Sequence, residues 1–110
     1  MAIKANLVVD QGTSFSATID LTDASGVVFN LTGYTVAAQM RKNYASSTAV
    51  NFTSSHTGVN GKINLTLSPN TTNALSPGRY LYDVEITSSG GAVTRVVEGI
   101  VTVTPGITRI

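Results

Sequence analysis

The 110-residue sequence contains no cysteine and no tryptophan, and only three prolines. Without cysteine the chain forms neither disulfides nor thiolate metal sites, which excludes a disulfide-stapled secreted domain. A chain of this length buries roughly 60–70% of its unfolded surface, enough for a core without covalent cross-links. We therefore expect one domain over residues 1–110 that is stabilised by packing alone.

Charge is scarce and nearly balanced. Seven Lys and Arg residues oppose six Asp and Glu residues, giving a net charge of +1. Nucleic-acid and anionic-membrane binders normally carry a basic stripe, and Arg41-Lys42 is the nearest approach to one. No apolar run approaches the roughly 20 residues that span a bilayer, and Met1–Val9 lacks the features of a signal peptide. We expect binding to neither nucleic acid nor membrane.

A catalytic device would depend on very few groups. His56 is the only histidine. It lies in the polar stretch Ser54–Gly61, which predicts an exposed loop. A Ser-His-Asp triad needs a histidine, but no Gly-x-Ser-x-Gly nucleophile elbow accompanies this one. The sequence therefore favours a loop histidine without a catalytic role.

The acidic residues allow two interpretations. Asp83 and Glu85 are expected on one strand face, with Cβ atoms about 7 Å apart, a spacing that a glycosidase can use. The same two carboxylates can instead form ion pairs with Arg79 or Arg95, which we favour. Asp20 and Asp23 flank a turn but lack the further oxygen ligands of a calcium loop. We predict no catalytic residue, no metal site and no cofactor, and hence a protein that is not an enzyme.

What the sequence has is an apolar period of two between regularly spaced turns. Thr and Val, which favour strands, are abundant, and turn signals recur about every 8–12 residues. Alternation of apolar and polar side chains is clearest in four segments: Thr13–Leu21, Tyr34–Arg41, Lys62–Leu67 and Tyr80–Ile86. One apolar face and one polar face indicate antiparallel sheets that each pack on one side, and two such sheets make a sandwich.

Four further segments predict strands with weaker patterns. Met1–Val9 is expected as a first strand at a sheet edge, and Val27–Asn30 and Ala49–Thr53 as short strands. In Ala92–Val103 the alternation changes phase, and Gly99 at that point predicts a β-bulge. Together these segments indicate about 7–8 strands.

A short helix and a tyrosine follow one another in the second half. Ser68 is suited to cap a helix and Pro69 to begin it, which predicts one helical turn near 69–75 between the sheets. The turn Pro77-Gly78 then leads into Tyr80 and Tyr82. Immunoglobulin-like sandwiches enter one strand in this way, through a tyrosine whose hydroxyl bonds nearby backbone. We predict an all-β, immunoglobulin-like antiparallel sandwich with Tyr80 or Tyr82 as this tyrosine corner.

Three segments carry a family resemblance: Leu21–Lys42, Leu75–Ile86 and Val96–Arg109. Within them, the spacing from the Asn-Leu-Thr-Gly-Tyr run ending at Tyr34, through Tyr-x-Tyr-Asp-Val, to Glu98-Gly99 is distinctive. The arrangement resembles small immunoglobulin-like structural domains of tailed phages. It is similar to the N-terminal domains of baseplate upper proteins and to short virion proteins of cyanobacterial phages.

The resemblance implies a non-enzymatic virion part that is assembled in the host cytoplasm. Baseplate members continue into a stalk or fibre, whereas this sequence runs only a few residues beyond its last predicted strand. We therefore expect a head decoration or cement protein that binds the major capsid protein on the outside of the capsid. The alternative is a tail, baseplate or neck accessory protein that contacts other virion proteins, and a homo-oligomer is compatible with either.

Docking residues are expected at the chain ends and edge strands. An edge strand offers unpaired backbone groups to a partner. The apolar side chains of the first strand and the end of the chain are the candidates, together with one arginine: Ile3, Leu7, Val9, Ile107, Arg109 and Ile110. A second alternative function, a glycan-binding adhesion module, would depend on an exposed aromatic residue, for which Tyr44 is the candidate.

Overall fold

The computed structural model describes residues 3–22, 25–43, 45–46, 49–56 and 61–107. These contain nine strands and one helix, in the order β1 (Ile3–Lys4), β2 (Leu7–Asp10), β3 (Phe15–Asp20), β4 (Thr35–Arg41), β5 (Val50–Asn51), β6 (Thr53–His56), β7 (Lys62–Leu67), α1 (Pro69–Asn73), β8 (Gly78–Thr87) and β9 (Val93–Thr104). The predicted all-β sandwich with one short helix is confirmed. The helix of the described residues, five residues long, is too short to cross a membrane.

The strands form two sheets. The larger has the order β1-β9-β8-β4-β5, with β2 also paired to β9, and the smaller has the order β3-β7-β6. Strands β1 and β2 run parallel to β9, so the expectation of purely antiparallel sheets is wrong at this edge. Strands from opposite ends of a sequence are not joined by a hairpin, and either direction is open to them.

The core lies between the two sheets and comes from alternate residues of the strands, as the period of two predicts. In β8, every second residue from Tyr80 to Ile86 is buried. The fully buried apolar side chains are Val9, Leu31, Met40, Ile63, Leu65, Val84, Val97, Val101 and Val103. Phe52 joins the layers, with its ring centroid 6.1 Å from that of Phe15 and 6.1 Å from that of Tyr82.

The bulge predicted at Gly99 lies three residues earlier. Val84 pairs with Val97 and Glu85 with Arg95, which leaves Val96 as the extra residue of β9. Both Val96 and Val97 are buried, and two adjacent residues can face one core only where the pleat is interrupted. Gly99 itself pairs regularly with Tyr82.

Two of the weaker strand predictions need correction. Val27–Asn30 contributes a single bridge between Val28 and Thr22 rather than a strand. Ala49–Thr53 spans a change of sheet, because β5 pairs with β4 and β6 pairs with β7, with buried Phe52 between them. A buried aromatic ring placed between the sheets makes it possible for the chain to cross at this point.

The passage through β6 also protects the free edge of β4. Alternate carbonyl groups of the Tyr34–Ala38 stretch accept hydrogen bonds from the segment Phe52–His56 of the same chain. One donor is a backbone N–H and two are side chains. The contacts are Phe52 N to Ala38 O at 3.0 Å, Ser54 Oγ to Val36 O at 3.0 Å and His56 Nε2 to Tyr34 O at 2.7 Å. This edge is therefore occupied by groups of the same domain.

Helix α1 is tied to the turn between β2 and β3. Ser68 caps its first turn, with its Oγ accepting from Thr71 N at 3.3 Å. Thr72 is fully buried; its Oγ1 accepts from Gly12 N at 3.1 Å and donates to Thr13 O at 2.7 Å. One hydroxyl group thus satisfies a donor and an acceptor of the turn where the chain crosses between the sheets.

Candidate docking surface

The face of the larger sheet that points away from the core forms a shallow groove, which we call the open face. It is built from alternate residues of β4, β8 and β9, with Lys4 and Asn6 at one side. The groove has a volume of about 660 Å³. It is larger than the apolar cavity near Ile3 described below, which makes it the candidate functional site.

One end of the open face is apolar. Leu81 lies opposite Ile100 on β9 and opposite Arg41 on β4, so two aliphatic side chains meet where polar ones are expected. Both are only partly buried by the domain itself. Apolar side chains at solvent-facing positions on adjacent strands are typical of the centre of a protein interface.

Charged groups line the groove beside this apolar pair in balanced number. The groove is lined by three cationic side chains, Lys4, Arg41 and Arg95, and by three anionic ones, Asp83, Glu85 and Glu98. Arg95 forms two ion pairs, from Nε to Asp83 Oδ2 at 3.1 Å and from Nη1 to Glu98 Oε2 at 3.3 Å. The surface presents both signs at close range, which suits a partner of mixed charge rather than a polyanion.

Two tyrosines fix the strand beneath the open face. The hydroxyl of Tyr80 donates to Ser76 O at 2.9 Å, four residues upstream, which is the tyrosine-corner contact. Lys42 Nζ lies 4.5 Å from the centroid of its ring. Tyr82 instead donates to Ala5 O at 2.5 Å, and burial of its hydroxyl raises its pKa to about 12. The two tyrosines therefore anchor β8 at different places, one locally and one to the N-terminal segment.

The N-terminal segment between β1 and β2 closes one side of the open face. Ala5 N donates to Glu98 O at 3.0 Å, and Asn6 Oδ1 accepts from Ile100 N at 3.1 Å. The Asn6 side chain replaces a backbone acceptor where the strand is interrupted. It thereby holds the backbone of Ile100 in place opposite Leu81.

The predicted docking residues differ in their exposure to solvent. Ile107 is 95% exposed and Ile3 is 40% exposed, so both remain available. Leu7 is half-buried against the core. Val9 is fully buried within the core, and its selection as a docking residue is wrong, because β2 turns this side chain inward when it pairs with β9. Arg109 and Ile110 lie outside the described residues.

Ile3 borders a second, smaller cavity at the hairpin end of the sandwich. The cavity has a volume of about 120 Å³ and is lined mainly by apolar side chains, among them Phe29, Tyr34 and Val96. Phe29 and Tyr34 meet edge to face, with ring centroids 5.6 Å apart. It has room for one small apolar group and is minor beside the open face.

The residues considered for chemistry have structural surroundings. His56 lies on β6 rather than in an exposed loop, and its half-buried ring contacts Tyr34 O. Asp20 forms an ion pair of 2.7 Å with Lys62, and Asp83 forms one with Arg95 as the sequence suggested. Within the described ranges, no three His, Asp or Glu side chains gather as metal ligands. Asp23 and Tyr44 lie outside those ranges.

The sequence analysis did not identify Leu81 and Ile100 as exposed apolar residues of the open face, although their positions in the alternating pattern indicate it. Leu81 occupies the polar parity of its strand together with Asp83 and Glu85, and Ile100 shares the parity of Glu98. Each strand thus carries one aliphatic residue among charged ones. That these two residues are neighbours becomes clear only once the register between β8 and β9 is known.

Comparison with known proteins gives fold similarity alone. No family model and no curated protein matches the sequence. An internalin-like protein of Listeria monocytogenes is similar with a TM-score of 0.50 and 20% identity over 94% of this chain, which spans 28% of that protein. AggA, the major subunit of aggregative adherence fimbriae of Escherichia coli, is similar at TM-score 0.43 and 16% identity, with 90% of this chain and 89% of that one covered. A family 123 glycoside hydrolase of Clostridium perfringens is similar at TM-score 0.43 and 11% identity over 97% of this chain and 24% of that one.

Proposed function

We propose that this chain is a non-enzymatic structural protein of a tailed-phage virion, bound as a decoration or cement protein to the outside of the head. The partner is the major capsid protein, and the contact surface is the open face. The observation that carries this proposal is the pair Leu81 and Ile100, two aliphatic side chains at one end of a charged, shallow groove.

The composition of the open face supports a protein partner. Aliphatic side chains bordered by polar and charged ones are a usual composition of a protein interface. Because three cationic and three anionic side chains line the groove, complementary charges on the partner can fix the register of binding.

Repetition supports the proposed location. A capsid wall offers the same site many times, and linked or repeated contacts raise the overall avidity without a strong single contact. A domain whose sequence contains no cysteine does not depend on disulfide formation for its fold. Such a domain suits a particle that persists outside the cell.

The alternative location is the tail, baseplate or neck, where the same face would bind a different virion protein. A glycan-binding role is a second alternative. It is favoured by three amide side chains that line the groove, Asn6, Gln39 and Asn43, because amides both donate to and accept from hydroxyl groups. In that role the groove would bind sugar instead of protein.

Antibody labelling of purified phage particles, combined with quantification of the chain by mass spectrometry, tests the proposal. We expect label over the whole head and many copies per particle. Label confined to one vertex or to the tail tip, with few copies, would support the tail alternative. Absence from the particle together with binding on a glycan array would support the adhesion module and reject the virion role.

A further inference from the structure

The outer edge of β3 carries no other strand of the described residues. β3 is the outer strand of the smaller sheet and pairs only with β7 among the described strands. Leu21 N donates to Gly61 O at 2.8 Å, which extends the ladder between these strands. Because backbone groups alternate in direction along a strand, those of Phe15, Ala17 and Ile19 point toward β7 as those of Leu21 do. The backbone groups of Ser16, Thr18 and Asp20 therefore point outward.

Two other sheet edges are protected. Alternate carbonyls along β4 accept hydrogen bonds from Phe52, Ser54 and His56. On the opposite side of the larger sheet, the edge is divided into two short strands, β1 and β2, at Ala5 and Asn6. Natural edges are normally guarded by such interruptions, by proline, by lysine or by bulges.

None of these devices guards β3. Its six residues, Phe-Ser-Ala-Thr-Ile-Asp, include neither proline nor lysine, and its pairing with β7 shows no bulge. Its only charged residue is Asp20, at its end, which forms an ion pair with Lys62. Phe15 and Ala17 face the core side but remain only partly buried. A further strand at this edge would cover both.

We propose that β3 pairs with β3 of a second copy of this chain, in antiparallel orientation, about a two-fold axis at Ala17. Ser16 then lies opposite the partner's Thr18, and Phe15 lies opposite the partner's Ile19. The two three-stranded sheets join into one continuous sheet of six strands. A two-fold axis is the commonest symmetry of a homodimer, because the same patch serves both copies.

The direction of the backbone groups and the side chains both select this register. Outward-pointing residues must lie opposite outward-pointing residues, so Ser16 and Thr18 pair with each other and exchange hydrogen bonds. Their hydroxyl-bearing side chains meet on the solvent face. On the core side, Phe15 and Ile19 form aromatic to β-branched pairs, among the favourable cross-strand combinations. Ala17, the smallest of these residues, lies on the axis.

Charge does not oppose the pairing. In this register Asp20 lies opposite the partner's Ser14, so no like charges face each other across the axis. This dimer does not depend on the proposed function. The edge of β3 belongs to the smaller sheet, whereas the open face belongs to the larger one. A dimer would therefore present two open faces.

Sedimentation velocity over a range of concentrations tests the dimer. We expect the mass to rise from 11.4 kDa toward twice that value as the concentration increases. Thr18→Lys should keep the mass at the monomer value, because it places lysine at the free edge. Thr53→Lys is the matched control, since Thr53 is an exposed threonine on the outer strand β6 of the same sheet, and it should dimerise like the wild type.

Single-cysteine variants test the register, in a chain that has no cysteine of its own. Residues at the axis have Cα atoms about 4.5 Å apart, within disulfide range, whereas diagonal neighbours lie about 7–8 Å apart, beyond it. Ala17→Cys should therefore form a disulfide-linked dimer on mild oxidation and Thr18→Cys should not. A wild-type mass of 11.4 kDa at every concentration, or equal dimerisation of Thr18→Lys, would overturn the proposal.

Discussion

Gly99 lies directly beneath the backbone carbonyl of Ala5. A Cβ atom on Gly99 would lie closer to that carbonyl than Cβ atoms in folded proteins lie to non-bonded atoms. It would also stand 3.0 Å from Cε1 of the Tyr82 ring. The same carbonyl accepts the hydrogen bond of the Tyr82 hydroxyl. The absence of a side chain on β9 thus lets the N-terminal segment pass over the strand and take up its tyrosine contact.

Gly99→Ala should destabilise the domain by about 1–3 kcal/mol, because the methyl group forces the backbone of Ala5 outward. Urea unfolding measures the loss. Gly90→Ala is the matched control, since the nearest atom to an added Cβ there is Ser88 Oγ at 3.9 Å. Equal stabilities of the two variants would show that the close approach of Ala5 is not a real constraint.

Tyr82 should make the domain sensitive to alkali. Burial raises its pKa from 10.0 to about 12 in the folded state. Between these values the unfolded chain loses the proton first, so stability is complete below the unfolded pKa and falls as pH rises toward the folded pKa. The loss should approach about 1.4 kcal/mol per pH unit within that window.

Tyr82→Phe is the control for the alkaline effect. It should cost about 0.5–1.5 kcal/mol at neutral pH, through loss of the hydrogen bond to Ala5, and should flatten the decline above the ordinary tyrosine pKa. Urea unfolding of both proteins at several pH values provides the comparison. If the free energy of unfolding fell with pH in the same way for the wild type and Tyr82→Phe, Tyr82 would titrate normally and be open to water.

Thr72→Val should destabilise the domain by about 1–3 kcal/mol, because it leaves Gly12 N and Thr13 O without their hydrogen-bond partner at a part-buried site. Thr72→Ser keeps the hydroxyl group and should recover most of the stability. Thermal unfolding distinguishes the two variants. If serine and valine cost the same, packing of the threonine methyl group rather than hydrogen bonding holds the turn against α1.

The parts of the fold that follow from local alternation were predictable from the sequence. β3, β4, β7 and β8 lie within one or two residues of the alternating segments, and Ser68 and Pro69 begin the helix as expected. A period of two places side chains on one face or the other whatever the neighbouring strand is. These predictions needed no knowledge of long-range pairing.

What the sequence could not supply depends on pairing between distant residues. The inward orientation of Val9 follows from its place opposite Val103, and the position of the bulge follows from the register between β8 and β9. His56 was assigned to a loop because its neighbours are polar, yet β7 and the carbonyl of Tyr34 hold it in a strand. Leu81 and Ile100 likewise become neighbours on the open face only through that same register.

Binding of purified chain to phage particles that lack it tests the central proposal most directly, by co-sedimentation of wild type, Leu81→Asp and Thr53→Asp. A charge at Leu81 within the interface should weaken binding at least about tenfold, whereas Thr53, on the smaller sheet, should tolerate it. The account predicts that wild type and Thr53→Asp sediment with the particles and that folded Leu81→Asp stays in solution. Sedimentation of Leu81→Asp to the same extent as wild type, or of none of the three, would contradict it.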